Sequence, residues 1–483
     1  MGSGIRSLQQ EMERGETTAG EWIDRLIERI ESIDRAGPLL GAVLEVNPDA
    51  RSIAEALDVE RTEQGPRSLL HGIPVMIKGN IDTADRMATT AGSLALAGSI
   101  AVRDAFLVER LRSAGAVILG KSNLSEWANF RGKRSISGWS SLGGQTRNPF
   151  DPKRSPCGSS SGSAVAVAAD LCAVSVGTET DGSIICPAQT CGVVGVKPTV
   201  GLVSRSGIIP IAHSQDTAGP MANSVDDAAI LLAVLVGADS RDAATMHGRP
   251  TPDFAALQHL ENLSGIRLGV ARNYVGIHRA VDRVFEAAIA TLRELGATIV
   301  DPADIETAGK WRDSELDVLL YEFKHGIDLY LAGLGHDAPV RSLADVIAFN
   351  EEHADRVMPY FGQELLELAE AKGDLDDPAY VDARTASHRL TREEGIDATL
   401  AKYSLDGLVA PSGGPAWLID TTLGDHGFPG CSSAPAVAGY PHVTVPAGDV
   451  DGLPVGLSFF GTAFQDAALI QYAAVFERAR SLD

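Results

Sequence analysis

Cys157-Gly-Ser-Ser-Ser-Gly-Ser163 leads directly into an apolar run, Ala164–Ala169, which is followed by Cys172–Gly177 and then by Gly177-Thr-Glu-Thr-Asp-Gly-Ser183. This order predicts a serine-rich loop, a helix of small residues, a buried strand and a glycine-containing turn. A helix and a strand joined over so few residues are typical of α/β proteins. The two hydroxyl-rich segments, each next to a buried element, are the first candidates for a functional site.

The alternation of helices and strands continues in both directions from this stretch. It predicts an α/β protein with a single large core, in which a mixed, mostly parallel β-sheet is covered by helices on both faces. The segment 239–402 is richer in helix and charge and poorer in glycine. We expect it to be a helix-rich insertion that shapes a substrate site, with a separate second domain as the alternative. The predicted strands include 42–46, 72–78, 116–120, 172–177, 266–270, 298–300, 407–411, 442–446 and 455–460, and the predicted helices include 104–114, 162–170, 224–236, 281–295 and 465–478.

The charge of the chain excludes some classes of partner. It has 64 acidic and 41 basic residues and a formal net charge of −23, and such a surface repels phosphate backbones, so we expect no nucleic-acid partner. Without a run of 18 apolar residues we expect no membrane span. The first residues, Met1-Gly-Ser-Gly4, lack the basic and apolar segments of a signal peptide. This favours a cytoplasmic location, with export after removal of a signal as the alternative.

The cysteines and histidines form no recognisable metal site. Five cysteines are an odd number in a long chain, which argues against a disulfide framework and favours small buried thiols. Cys186 and Cys191 have no second pair that would complete a zinc site, and the eleven histidines show no His-x-x-x-His or His-Glu-x-x-His pattern. We therefore expect neither a metal nor a cofactor.

The serine-rich loop and the following turn each allow more than one interpretation. A helix N-terminus needs one capping hydroxyl, whereas the loop offers four. Gly158-Ser-Ser160-Ser-Gly162 also matches the Gly-x-Ser-x-Gly pattern of hydrolase nucleophiles, although no strand leads into it. The segment 177–183 could be a plain turn. However, Gly182 beside Ser183 would let successive backbone N–H groups converge on one point, as an oxyanion requires.

Lys78 ends an apolar strand and is a candidate base. Desolvation there would lower its pKa, while a lysine that extends its amine to solvent is the alternative. A serine nucleophile needs a base, and His213 is the only histidine near the segments of Ser159 and Ser183. A neutral lysine that acts through a bridging serine meets this need without a histidine.

Lys78, the serine-rich loop and the segment 177–195 resemble the amidase-signature hydrolases, whose catalytic triad is Ser–cis-Ser–Lys. In that family the bridging serine lies 24 residues before the nucleophile. The resemblance therefore implies that Ser183 is the nucleophile, Ser159 the bridging serine and Lys78 the base. It also implies an oxyanion hole formed by backbone N–H groups, which are those of Thr180, Asp181, Gly182 and Ser183.

Further segments are similar to the bacterial peptide amidases within the family, which implies hydrolysis of C-terminal peptide amides to free acid and ammonia. The alternatives are other acyl amides, anilides or carbamates as substrates, the amide-hydrolysing component of a multi-subunit amidotransferase, and a binding protein without catalysis. The expected partner is an amide substrate, and the chain is expected to be a monomer or homo-oligomer. The similar segments are 123–130, 137–140, 144–149, 192–210 and 341–350.

The sequence departs from the family pattern at three places. The usual Lys-Asp-Asn is Lys78-Gly79-Asn80 here, which removes a carboxylate beside the base. The usual Gly-Gly-Ser-Ser-Gly-Gly-Ser is Cys157-Gly-Ser-Ser-Ser-Gly-Ser163 in this chain. After Ser183, where many relatives have an arginine, this chain has Ile184. Substrate contacts are expected from the segment 239–402 and from the loop Ser412–Pro429, which carries Trp417; a packing role for Trp417 is the alternative.

Overall fold

The computed structural model describes residues 4–257, 260–335 and 338–480. Its strands are β1 (Val43–Val46), β2 (Pro74–Lys78), β3 (Val117–Ser122), β4 (Trp139–Ser140), β5 (Gly144–Gln145), β6 (Val174–Glu179), β7 (Val194–Lys197), β8 (Thr217–Ala222), β9 (Arg267–Val270), β10 (Thr298–Val300), β11 (Gly407–Pro411), β12 (His442–Val450) and β13 (Leu453–Phe460). Its α-helices are α1 (Ile5–Glu13), α2 (Ala19–Arg29), α3 (Ala50–Gln64), α4 (Phe106–Ser113), α5 (Ser161–Ala168), α6 (Ile185–Thr190), α7 (Val225–Leu235), α8 (Arg279–Glu294), α9 (Arg312–Ala332), α10 (Leu343–Glu352), α11 (Ala354–Val357), α12 (Glu364–Glu370), α13 (Pro378–Thr391), α14 (Asp397–Tyr403), α15 (Ser433–Ala438) and α16 (Asp466–Arg480).

Eleven of these strands form one sheet in the order β1-β3-β2-β6-β8-β7-β12-β13-β11-β9-β10, and β4 pairs with β5 separately. The strands β3, β2 and β6 form one parallel block, and β11, β9 and β10 form another. Antiparallel pairs connect the two blocks through β8, β7, β12 and β13. The predicted α/β fold, a large mixed sheet flanked by helices, is confirmed.

The central strands are buried on both faces, as expected for strands covered by helices on each side. All residues of β2 and β6 are buried, including the polar side chains of Lys78, Thr178 and Glu179 at their carboxyl ends. The small residues of α5 let this helix approach the sheet closely, and Ser175 Oγ donates to Ser163 O at 2.8 Å. Because β2 and β6 are parallel, their carboxyl ends lie at the same edge of the sheet, where α5 begins. This edge is the usual place for a ligand site in such sheets.

The segment 239–402 contributes to both the sheet and a helical region. Its strand β9 pairs with β11 in the main sheet, and β10 pairs with β9 at the sheet edge. The helices from α9 to α13 lie beyond them, and α9 packs against α12 and α13. Part of α9 also joins a separate apolar cluster with residues of the first half of the chain, including Trp127 and Phe130. Within the described residues, no helix is long and apolar enough to cross a membrane.

Candidate active site

Lys78 is the last residue of β2, and its side chain is fully buried at the sheet edge. Its Nζ lies 2.7 Å from Ser159 Oγ, 2.8 Å from Thr178 Oγ1 and 3.2 Å from Thr178 O. Thr178 Oγ1 also accepts a hydrogen bond from Asn80 Nδ2 at 3.1 Å. Burial lowers the pKa of Lys78 from 10.5 to about 7, against the opposing influence of nearby carboxylates. A large fraction of this lysine is therefore neutral near pH 7.

Two other lysines, Lys121 and Lys197, are also buried, and burial lowers the pKa of each to about 8. Lys121 Nζ donates to Ile81 O and Thr89 Oγ1, and Lys197 Nζ donates to Tyr440 O at 2.6 Å. Of the three, Lys78 is the one whose recorded partners in the described residues include a serine hydroxyl. A lowered pKa alone thus does not distinguish the candidate base, whereas its hydrogen-bond partner does.

The segments of Ser159 and Ser183 are held against each other. The N–H of Ser160 donates to Ser183 O at 3.1 Å, and the Gly158–Ser159 peptide bond is cis. Cys157 and Cys186 form a disulfide across a sequence separation of 29 residues, with their Cα atoms 5.9 Å apart. The structure thus brings the Ser159 segment both to Lys78 and to the segment that carries Ser183. Ser183 is 7 % exposed.

This disulfide corrects the expectation of five small buried thiols. The expectation is wrong for Cys157 and Cys186, because the fold brings two loops together that are distant in sequence. It is right for Cys172, Cys191 and Cys431, which are buried free thiols. The sequence signal that could have revealed the pair is its placement, since one cysteine flanks each of the two serine segments.

The turn Thr180–Ser183 follows the carboxyl end of β6, and its shape is set by buried carboxylates. Gly182 has a φ of +78°, and a Cβ there would lie 2.9 Å from Ser432 Oγ, so the position requires glycine. Glu179 Oε2 accepts from the N–H groups of Ile184 at 2.8 Å and Ile185 at 3.0 Å. These contacts fix the segments before and after the turn.

A pair of carboxyl groups attaches the same turn to α9 and α15. Asp181 Oδ1 accepts from Ser432 Oγ at 2.7 Å. Glu315 Oε1 accepts from Gln215 Nε2 at 3.3 Å, and the same amide donates to Thr180 O at 3.2 Å. Burial, together with the adjacent Asp181 carboxylate, raises the pKa of Glu315 well above its ordinary value. Sequence reasoning did not single out Ser432, Glu315 or Gln215, and it named Thr180 and Asp181 only for their backbone N–H groups.

A cavity of about 300 Å³ lies beside this turn, and its lining includes neighbours of both serines, Gly158 from one segment and Asp181 and Gly182 from the other. Its opposite wall comes from the loop that follows β11, where Trp417 Nε1 donates to Asp425 Oδ1 at 3.1 Å. Asp425 in turn accepts from Ser137 Oγ at 2.6 Å. Trp417, which was a candidate substrate residue, thus lies on the same cavity as Gly158 and Gly182.

A second cavity, of about 390 Å³, reaches Thr178 and Thr180 and contains the alternative base His213. The His213 side chain is 48 % exposed, and its Nδ1 lies 3.3 Å from Glu322 Oε2. Burial lowers the pKa of His213 despite this carboxylate. The His213 ring thus pairs with the Glu322 carboxylate. This contact disfavours His213 as the base for Ser183.

Gly79 occupies the position where relatives have an aspartate, and the space around it is already filled. A Cβ at this position would lie 2.9 Å from Leu44 Cδ1 and 3.1 Å from Ser122 O. Such distances are too short for an ordinary contact, so a side chain requires Leu44 to move. In this chain the Leu44 side chain therefore packs against the position next to Lys78 where the family usually has a carboxylate.

Comparison with known proteins identifies the family. The family described as Amidase matches residues 21–470, and the chain belongs to it. The native peptide amidase from Stenotrophomonas maltophilia has a similar structure, with a TM-score of 0.94 and 52 % identity, over 99 % of this chain and 96 % of that chain. A probable amidase of Arabidopsis thaliana is 42 % identical over 463 residues, which are 93 % of this chain and 85 % of that protein.

A third relative has a different activity in its name. A glutamyl-tRNA(Gln) amidotransferase subunit of Symbiobacterium thermophilum is 37 % identical over 485 residues, which are 96 % of this chain and 94 % of that protein. The resemblance to the amidase-signature family and its peptide amidases is confirmed. The protein is an amidohydrolase that cleaves the C–N bond of amides.

Proposed function

We propose that the protein hydrolyses the C-terminal amide of peptides to a free acid and ammonia, through an acyl-enzyme on Ser183. The observation that carries the proposed chemistry is the 2.7 Å distance from Lys78 Nζ to Ser159 Oγ in a fully buried site. The Ser160–Ser183 backbone hydrogen bond supports the proposal, because it holds the segment of Ser183 against the segment of Ser159. The similarity to a peptide amidase supports the choice of substrate.

The hydrogen bonds of Lys78 support a role as base. A neutral amine has two N–H groups and one lone pair. Thr178 O and Thr178 Oγ1 accept the two N–H groups, which directs the lone pair towards Ser159 Oγ. Lys78 would take the proton of Ser159 while Ser159 takes that of Ser183, and Ser183 Oγ would attack the amide carbonyl. The N–H groups of the turn Thr180–Ser183 would stabilise the oxyanion.

The same relay would complete the reaction in reverse. Protonated Lys78 would return its proton through Ser159 to the leaving ammonia, so that the C–N bond breaks and the acyl group stays on Ser183. Water would then attack the ester, give its proton to the relay and release the acid. Each turnover consumes one water and restores the starting protonation of Lys78 and both serines.

The lining of the 300 Å³ cavity favours an uncharged C-terminal amide over a carboxylate. Among the described residues that line it, none is basic, and the charged ones are Asp181 and Asp425. A carboxylate in the cavity would therefore lack the arginine or lysine partner that usually binds it. This favours release of the acid product. It also disfavours an amidotransferase component that takes its amide from a free amino acid, because such a donor carries a carboxylate.

The substrate is tested by incubation of the isolated chain with peptide amides, the matching free-acid peptides, anilides and simple acyl amides. We expect peptide amides to give acid and ammonia in equal amounts, measured by mass spectrometry and an ammonia assay, with the largest kcat/KM of the panel. Turnover confined to anilides or simple amides would reject the peptide substrate but keep the amidase. A chain that hydrolyses nothing unless a partner protein is added would favour the amidotransferase component.

The nucleophile is tested with Ser183→Ala and with a fluorophosphonate probe. The variant should lose several orders of magnitude in kcat, because the covalent route loses its attacking atom, and should keep its melting temperature. Peptide mapping should locate the probe on Ser183 in the unaltered enzyme. Labelling of Ser160 instead would show that the Gly-x-Ser-x-Gly interpretation of the loop is correct and this one is wrong.

A further inference from the structure

The disulfide Cys157–Cys186 connects the two segments that the proposed chemistry must hold in register. Cys157 precedes Ser159 by two residues, and Cys186 follows Ser183 by three. Both cysteines lie on the wall of the 300 Å³ cavity beside Gly158 and Gly182. The bond therefore lies at the substrate site and not in the remote core.

Few other contacts join the two segments directly at this point. The Ser160 N–H donates to Ser183 O at 3.1 Å, and Thr190 Oγ1 donates to Pro156 O at 2.7 Å. Cys157 has a φ of +58°, a left-handed conformation that residues with a Cβ rarely adopt, and its carbonyl accepts from Ser161 Oγ at 2.6 Å. A covalent restraint holds this unfavourable conformation next to Ser159.

We propose that the Cys157–Cys186 disulfide is a positioning element, which sets Ser159 against Ser183 for acylation, and that a small dithiol entering through the substrate cavity switches acylation down by reducing it. The inference rests on the proposed roles of the two serines. It does not depend on peptides being the substrate.

The reduction is an ordinary thiol–disulfide exchange. A thiolate of dithiothreitol attacks one sulfur, and the other cysteine leaves as a thiolate that takes up a proton. The second thiol of the reagent then resolves the mixed disulfide. Dithiothreitol is oxidised to its cyclic disulfide, and Cys157 and Cys186 become two thiols. Cys157 is 6 % exposed and Cys186 is partly buried, so access is through the cavity.

The elements inside the closed loop have their own packing, so the fold should survive reduction. The helix α5 and the strand β6 lie between the two cysteines and are almost completely buried. They are held by the sheet pairings of β6 with β2 and β8. Opening the bond should therefore change the spacing of the two serine segments more than the stability of the sheet.

The main experiment measures acylation of the whole chain by a fluorophosphonate before and after reduction. We expect the number of titratable thiols under denaturing conditions to rise from three to five, and the acylation rate and kcat to fall by at least about tenfold, since small misplacements of reacting groups are that costly. KM should change much less than kcat, and reoxidation should restore the rate. Full reduction to five thiols without loss of acylation would overturn the proposal.

Variants separate positioning from folding. Cys157→Ser with Cys186→Ser should reproduce the low kcat of the reduced enzyme and be insensitive to dithiothreitol. Cys172→Ala removes a buried thiol outside the site and should keep both the rate and its sensitivity to reduction. If the double variant does not fold, the reduction and reoxidation of the unaltered enzyme still decide the question.

A third measurement distinguishes this proposal from the choice of substrate. In Ser183→Ala, a peptide amide at saturating concentration should slow the appearance of the two new thiols, because it covers the cavity wall. Absence of protection by peptide amides, together with a reduction-sensitive fluorophosphonate rate, would reject the peptide substrate and retain the positioning role. Protection by peptide amides without any effect of reduction on acylation would support the peptide substrate and reject the positioning role.

Discussion

At the scale of single residues, Lys78 owes its proposed role to its hydrogen-bond acceptors as much as to its burial. Lys121 and Lys197 are equally buried and have similarly lowered pKa values, yet their acceptors are backbone carbonyls and, for Lys121, a threonine hydroxyl. Ser159 is the difference, since Thr178 accepts two N–H groups of Lys78 and the remaining direction of the amine faces Ser159 Oγ. Burial lowers the pKa of the amine to about 7, and the two acceptors on Thr178 orient it.

The pKa of Lys78 predicts the pH dependence of the enzyme. With a pKa of about 7, the lysine is protonated and inactive as a base below that pH and neutral above it. We expect kcat/KM to rise as the pH passes through about 7 and to level off on the alkaline side. The pH profile of the purified enzyme checks this, and a profile that falls as the pH rises through 7 would contradict it.

Matched variants assign that pH dependence to Lys78. Lys78→Met keeps the bulk and removes the base, so kcat should fall by about 10² to 10⁴-fold. Lys78→Arg should be similarly inactive, because a guanidinium stays charged. Lys121→Met is the control, which should lower the melting temperature without moving the pH profile. A strongly active Lys78→Met together with an inactive His213→Ala would show that the histidine is the base.

Gly79 gives a prediction about stability. Gly79→Asp restores the family's usual residue but places a Cβ 2.9 Å from Leu44 Cδ1, so it should lower the melting temperature and the rate. Leu44→Ala combined with Gly79→Asp should recover part of the stability if the clash is the cause, because the double substitution removes the short contact. Equal melting temperatures for Gly79→Asp and the unaltered enzyme would show that the packing at this position adapts freely.

At the scale of elements, the loop after β11 lines the cavity because the fold brings it next to residues that are distant in sequence. Trp417 lies on the cavity and is held by Asp425, which is also bonded to Ser137. We expect Trp417→Ala to alter kcat/KM unequally among peptide amides with different C-terminal side chains, because it removes a wall of the cavity. Kinetics over such a series check this.

Two controls decide between a cavity wall and a packing residue for Trp417. Trp417→Phe keeps an aromatic wall and loses the bond to Asp425, so it should change the ranking of substrates less than alanine does. Trp22→Ala removes a tryptophan of α2 and should lower stability while scaling all substrates alike. If Trp417→Ala lowers only the melting temperature and keeps the ranking, Trp417 is a packing residue.

Elements with a strong local pattern were predictable from sequence, and contacts between elements were not. The helix α5 and the strands β2 and β6 follow from the apolar stretches at 162–170, 72–78 and 172–177. The strand β8 was missed, because Thr217–Ala222 contains a glycine and a proline that usually disfavour strands. Asp181 with Glu315 was also missed, since no local pattern connects residues so far apart in sequence.

At the scale of the whole molecule, the sheet explains why the site assembles where it does. The parallel block of β3, β2 and β6 brings the ends of two distant strands to one edge, and α5 starts at that edge. The alternation of helices and strands predicts such a block. Antiparallel pairs, including the long β12–β13 hairpin, connect this block to β11, β9 and β10. These pairs depend on turns between the strands, which the apolar periodicity of the sequence does not predict.

The proposed mechanism needs no bound metal, and removal of metal ions tests this requirement directly. In the described residues, no group of three or more histidine, cysteine or acidic side chains is arranged to hold a metal ion. Two of the cysteines are bonded to each other, and Glu179 and Asp181 already accept hydrogen bonds that shape the turn. Prolonged dialysis against EDTA, followed by kcat measurement on a peptide amide, should leave at least about nine-tenths of the rate, because in the proposed mechanism Lys78 and Ser159 activate Ser183. A zinc-dependent amidase treated in parallel controls for effective chelation, since its zinc-bound water is lost. Loss of activity that returns on addition of zinc would show that a metal, and not the neutral lysine, activates the attacking group.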